Sequence, residues 1–106
     1  MKTKEEGWIK GSFDVKLAYE PNPKHIENGR IYRNFGLDMA NKRRQLYHIP
    51  TKTIIGIYDM TLLEIKELID RLLAVNIDWT SSDLIYFQTI NKEITKEINK
   101  IITDVK

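Results

Sequence analysis

Apolar and polar positions alternate along the first third of the chain. Within the run from Trp8, residues 12–19 have Phe13, Val15, Leu17 and Tyr19 at the odd positions and Ser12, Asp14, Lys16 and Ala18 at the even ones. Between residues 30 and 39 the odd set is Ile31, Phe35, Leu37 and Met39, against Tyr32, Asn34, Gly36 and Asp38. Alternation with period two is the signature of a strand with one buried face. Both runs carry the same parity. An antiparallel pairing whose residue numbers sum to an even value therefore puts all eight apolar groups on one face, and a one-residue slip would put one set in water. Arg33 interrupts the second run, which predicts either an edge position with a buried stem and a solvated head, or a bulge. Gly11 predicts a bulge or a close backbone approach.

Between the two runs lie Pro21, Pro23 and the Asn28-Gly29 pair, which predict a structured loop over residues 20–29. Asn41-Lys42-Arg43-Arg44 reads as a hairpin tip and residues 45–49 as a short strand. Residues 53–58, rich in β-branched side chains and apolar on both parities, read as a central strand covered on both faces.

The period changes at Asp59. Thr61 and Glu64 form an S/T-x-x-E capping box, and Leu62, Ile65, Leu68, Ile69, Leu72 and Leu73 follow at helical spacing, with Asn76 placed to end the helix. Thr80, Ser81 and Ser82 can each cap a last helix running to about Asp104, whose stripe is Phe87, Ile90, Ile94, Ile98, Ile101 and Val105. Its Ile, Thr and Asn content makes that helix weak alone, so it must be held by packing. The pattern predicts one α+β domain over residues 1–106: a four-stranded antiparallel sheet with two C-terminal helices packed on one face, in the order ββββαα.

Composition narrows the function. The chain has no cysteine, which excludes disulfides, thiolate catalysis and cysteine-ligated zinc. The opening Met-Lys-Thr-Lys-Glu-Glu has no apolar stretch behind its charges, and no apolar run approaches the ~20 residues of a membrane span, so the expected location is the cytoplasm. Net charge is only +2, but residues 24–52 hold seven basic against two acidic residues, a local +5.

Short motifs in residues 8–40 resemble a family of small uncharacterised proteins of bacterial phages and integrated elements. They are Trp8-Ile9-Lys10-Gly11, Val15-Lys16, Glu20-Pro21, Ile26 and Gly29-Arg30-Ile31. The chain departs from that pattern at Asn28, where the family has a glycine, and lacks its later Tyr-Asp-Arg-Gly-Trp segment. The resemblance implies a mobile-element origin and no catalytic activity to carry over. By analogy with other short phage proteins, it points to binding of a host protein, including inhibition of a defence nuclease in the manner of an anti-CRISPR.

The residues support no catalytic or cofactor chemistry. His25 and His48, 23 positions apart, form no metal-ligating pair. Asp59 with Glu64-Ile65-Lys66 has the spacing of a metal-dependent nuclease core, but the capping box accounts for Glu64. Ser81 and Ser82 are explained by capping, and neither a phosphate-binding glycine loop nor a nucleophile elbow is present. The expectation is a non-enzyme with no cofactor and no metal site.

Two binding readings follow. In the first, exposed aromatics and cations on the even-numbered face and its loops contact a host protein, either a nuclease or its nucleoprotein complex: Trp8, Lys24, His25, Arg30, Tyr32, Lys42, Arg43 and Arg44. In the second, the basic loops of residues 24–52 bind nucleic acid. Three phosphate contacts at the tip give a salt slope of only about −2.7, so that reading needs most of the basic set on one face. Trp79 is open to two assignments, core cap or interface. The last helix offers a dimer contact if its isoleucine stripe exceeds what the sheet covers.

Overall fold

The computed structural model describes residues 7–16, 21–39 and 43–105. Its strands are β1 (Ile9–Val15), β2 (Lys24–Tyr32), β3 (Phe35–Asp38), β4 (Arg44–His48) and β5 (Thr53–Tyr58). Its helices are α1 (Leu62–Leu73), α2 (Leu84–Thr89) and α3 (Asn91–Val105). The architecture is α+β, with an antiparallel sheet followed by helices. The sheet is a meander of five strands rather than four, in the order β1-β2-β3-β4-β5, and three helices follow rather than two.

The fifth strand arises at Arg33. The run of residues 30–39 is two strands joined by a tight turn at Arg33-Asn34, and Arg33 adopts a left-handed φ of 57°. Arg33 is thus neither an edge residue nor a bulge. A two-residue hairpin turn needs positive φ, which Asn-Gly usually supplies, so an arginine there leaves no turn signal. The turn also swaps faces, because Tyr32 pairs with Phe35 and Ile31 with Gly36.

The expected loop over residues 20–29 is shorter than predicted, since β2 begins at Lys24 and Asn28-Gly29 lies within it. A register shift between the Gly11–Gly29 and Phe13–Ile26 pairs places the extra residue on β2. That bulge lets Ile26 face the same side as Ile31 despite its even number.

Both faces of the sheet therefore carry a core. On one face Phe35, Leu37 and Leu46 pack with Trp8 against Leu62, Ile65, Leu68, Ile69 and Leu72 of α1. On the other, Phe13, Val15, Ile26 and Tyr47 form a second cluster, with Ile31 and Ile49 against it. The two apolar sets that the alternation placed together are divided. Phe13 and Val15 belong to the second cluster with Ile31 against it, and Phe35 and Leu37 lie in the helix-side cluster with Met39 packed against it; Leu17 and Tyr19 fall outside the described residues. The sheet curls around the second cluster, and the Lys16 N–H donates to the Lys52 carbonyl at 2.8 Å, joining the end of β1 to the β4–β5 turn.

β5 is the last strand of the meander and not a central one. Ile54 and Ile57, paired with Tyr47 and Gln45, lie at the end of the face away from the helices and are exposed there.

α1 starts as its sequence predicts. The Glu64 N–H donates to the Thr61 hydroxyl at 3.1 Å, and the Thr61 N–H donates to the Glu64 carboxylate at 2.8 Å. Thr61→Ala is expected to lower stability by about 1 kcal/mol in urea unfolding, with the unfolding cooperativity unchanged. The helix ends at Ala74, in a helical conformation, rather than at a left-handed Asn76.

The expected last helix is two. Asp83, not Thr80, Ser81 or Ser82, caps α2 by accepting from the N–H groups of Ile85 and Tyr86. The helical path bends at Ile90, with φ −101° and ψ 13°. The bend lets Phe87 turn onto His48 and Trp79 while Ile94, Ile98 and Ile101 are buried in the core beside α1. Ile94, Ile98 and Ile101 of the stripe are thus used within the chain.

Candidate functional site

The structure redistributes the residues on which the two binding readings relied. Trp8 is buried, not outward. Its indole N–H donates to the Leu62 carbonyl at 3.1 Å, and its ring lies 5.6 Å from that of Tyr32. Tyr32 is half-buried on the helix side of the sheet. Its hydroxyl donates to the Asp70 carboxylate, and the Lys66 ammonium sits 5.5 Å from its ring centre. Asn34, expected on the same outer face, donates to the Trp79 carbonyl at 3.1 Å. On the even-numbered face of the first hairpin, Trp8, Tyr32 and Asn34 thus meet the helical layer and its connection, while Lys10, Ser12 and Asp14 on the same face are exposed. Even positions looked unassigned because the bulge and the Arg33 turn reverse parity along β2 and β3.

Among the cations, Arg30 is buried and donates to the Gly29 carbonyl at 3.1 Å. Arg44 Nη1 donates to the Met60 carbonyl at 3.0 Å, and its buried Nε has no partner. Lys24, His25 and Arg43 are exposed. Lys42 and the Asn41 end of the hairpin tip lie outside the described residues. Lys24 pairs with Val15, next to Lys16, whose N–H donates to the Lys52 carbonyl, so Lys24 and the Lys52 turn lie near one another; Arg33 stands in the β2–β3 turn, and Arg33 and Lys52 both have positive φ. Of the described basic residues in this stretch, Lys24, Arg33, Arg43 and Lys52 are exposed, whereas Arg30 and Arg44 donate to backbone carbonyls within the chain.

Both histidines have structural partners. His25 Nδ1 donates to Asp14 Oδ1 at 2.7 Å on the solvent side of the β1–β2 pair. His48 is fully buried among the rings of Phe35, Trp79 and Phe87. Its Nε2 lies 2.7 Å from the Trp79 carbonyl, which can only accept, so Nε2 carries the proton; Nδ1 then accepts from the Thr51 hydroxyl at 2.8 Å. Burial lowers its pKa below the ordinary 6.5, with the bond to the Trp79 carbonyl opposing in part.

A depressed histidine pKa gives acid sensitivity. Above pH 6.5 both the folded and unfolded chains hold a neutral imidazole. As pH falls through that value the unfolded chain takes up a proton that the folded chain refuses, so stability drops. Urea midpoints measured from pH 7.5 to 5 are expected to fall with a slope of at most about 1.4 kcal/mol per pH unit from this group. In His48→Gln that component of the slope should vanish, and a parallel profile would assign the sensitivity elsewhere.

Trp79 resolves to core. It is buried, its indole N–H donates to the Leu72 carbonyl at 2.9 Å, and its own carbonyl accepts from both His48 and Asn34.

The part of the surface that combines concavity with exposed apolar groups lies elsewhere, between β5 and the α2–α3 pair. A cavity of about 240 Å³ there has His48 and Phe87 in its wall, with Ile54 and Ile55 from the strand and Leu84, Ile94 and Ile98 from the helices. Its polar lining is Thr53, Gln88, Asn91 and Thr95, so no carboxylate, lysine or arginine enters it. Ile54 and Leu84 stand partly exposed at this cavity, next to Ile85 at 74% exposure, and Ile57 is open further along β5. Sequence reasoning missed this surface. Ile54 and Ile57 were assigned to a covered strand, and Leu84 and Ile85 looked like ordinary positions of a long helix. The available signal was the Leu84-Ile85 pair directly after an Asp83 cap, off the Ile90–Ile94–Ile98 stripe.

Among the described residues no group of three or more histidine or acidic side chains is placed to hold a metal ion. No helix there is long and apolar enough to cross a membrane. Comparison of the chain with protein-family models, curated proteins and solved structures finds no match.

Proposed function

We propose that this chain is a small non-catalytic binding protein of phage or mobile-element type. Its partner is a host protein, with a defence nuclease as the class of target and inhibition as the outcome. The observation that carries the binding reading is the uncharged cleft between β5 and α2, with Ile54 and Leu84 partly exposed in its wall and Ile85 exposed next to Leu84 in the sequence. Single exposed aliphatic residues are ordinary, but several beside one neutral concavity, on a chain that is 30% charged, mark a contact surface. The non-catalytic reading rests on the histidines. Both nitrogens of His48 are committed inside the core, and His25 pairs with Asp14 on an open strand face. The phage and nuclease parts rest on the sequence resemblance. Lys24, His25 and Arg43 remain exposed as polar contacts for the same partner.

The test is affinity capture from bacterial lysate with the native chain and with Ile54→Asp and Ile85→Asp, before and after nuclease treatment. A protein retained by the native chain and lost from both variants, whatever the nuclease treatment, is expected. Equal retention by both variants would remove the cleft from consideration. Capture abolished by nuclease, together with binding to random DNA or RNA that weakens with salt, would instead favour the basic-loop reading.

A further inference from the structure

We infer that β1 is a self-association edge, on which a second copy of the chain adds its own β1 antiparallel to make one continuous sheet across a two-fold axis. The inference starts from the direction of backbone groups. Lys16 N–H points away from β2, because it reaches the Lys52 carbonyl. Backbone groups of alternate residues in a strand point the same way, so the N–H and C=O of Asp14, Ser12 and Lys10 also point outward. The β4–β5 turn meets this edge, among the described residues, at Lys16. Among the described residues no strand pairs with the outer edge of β1. Ile9, Lys10, Ser12 and Asp14 are exposed, Ile9 at 69%.

The side chains select both the occupant and the register. Pairing Ser12 with Ser12 of the second copy sets Lys10 opposite Asp14 twice, by symmetry, on one face. Ile9 then meets Val15 on the other, so the apolar face stays continuous. The three outward-pointing residues fall on hydrogen-bonded pairs, as an antiparallel ladder requires. Of the neighbouring registers, three set Lys10 on Lys10, Asp14 on Asp14 or Lys10 on Lys16, each a like-charge pair across strands, and the fourth sets Lys10 on Ser12 and forms no opposite-charge pair between outward residues. The register that sets Asp14 on Lys16 needs a Lys16 N–H that Lys52 already holds. The bulge lies on β2, so β1 itself keeps the regular pleat that pairing needs. A single strand edge covers much less than the ~1,600 Å² of a standard interface, so association is concentration-dependent and reversible. The closed two-fold arrangement uses up both edges and limits growth to a dimer on this side.

Sedimentation equilibrium over a wide concentration range is the test. The native chain is expected to show a monomer–dimer equilibrium. Ser12→Pro, which removes the central outward N–H, should be monomeric, with folding checked by circular dichroism. Lys10→Asp should weaken the dimer roughly tenfold by facing Asp14 with a second acid. The double change Lys10→Asp with Asp14→Lys should restore it, and this charge exchange carries the test if Ser12→Pro does not fold. A native chain that is monomeric at all concentrations, or a dimer indifferent to these changes, overturns the inference.

Discussion

Trp79→Ala is expected to remove about 3–5 kcal/mol of folding stability, a large part of the ~5–15 kcal/mol that a domain of this size possesses. The size of the effect follows from where the ring sits. Trp79 lies 5.4 Å from Phe35, 5.8 Å from His48 and 5.8 Å from Phe87, so it joins β3, β4 and α2 in one aromatic cluster. Truncation leaves a cavity that three elements would have to close together, and it strands the Leu72 carbonyl that the indole N–H satisfies at 2.9 Å. Trp79→Phe separates these contributions. It keeps most of the ring packing and loses the hydrogen bond, so about 1–2 kcal/mol is expected. Thermal unfolding should show a drop of roughly 4–8 °C per kcal/mol for the alanine variant. A loss below 1 kcal/mol would mean that Trp79 faces solvent and that the interface assignment, not the core one, holds.

Gly36→Ala is expected to cost about 1–3 kcal/mol, although it adds one methyl group to a strand residue. A Cβ at Gly36 would lie 2.6 Å from Cε1 and 2.7 Å from Cζ of Phe13. The ring cannot simply withdraw, because a Cβ at Gly29 would meet the same ring at 2.7 Å and Tyr47 stacks against it with centroids 6.0 Å apart. Phe13 thus lies flat over two glycines of neighbouring strands and closes the second cluster. Phe13→Leu should relieve the clash, so the double variant is expected to be more stable than the sum of the two single losses predicts. Additive losses would place Phe13 on the helix side of the sheet, as simple alternation suggests, and would contradict the two-core arrangement.

The two variants probe two cores, and the division between them bears on function. The transverse row Ile9–Ile31–Gly36–Tyr47–Ile54 runs in register across all five strands on the face away from the helices. Its middle is buried under Phe13, while Ile9 at one end and Ile54 at the other are exposed. Those ends are the two places where binding is proposed: Ile54 at the cleft toward α2, and Ile9 on the β1 edge. A sheet with apolar groups on both faces and helices on one face only leaves its apolar surplus at the ends of such rows.

Local chemistry alone determined much of this molecule. Residues 53–58 and 44–48 form strands because β-branched and aromatic side chains suit the pleat, and α1 begins at Thr61 because two reciprocal hydrogen bonds satisfy its first amides. The assignment to α+β follows from the change of period at Asp59, and the exclusion of thiol chemistry follows from the lack of cysteine. The remainder depended on contacts distant in sequence. Alternation shows that one side of a strand avoids water, but not which layer covers it. With a core on each face, Trp8 and Phe13 gave equally valid patterns on opposite sides. The Arg33 turn is imposed by the pairing of Tyr32 with Phe35 against the arginine's own preference. The break at Ile90 exists because Phe87 and Ile94 have different partners. Those choices minimise exposed apolar area over the whole chain, a quantity that no short stretch of residues carries.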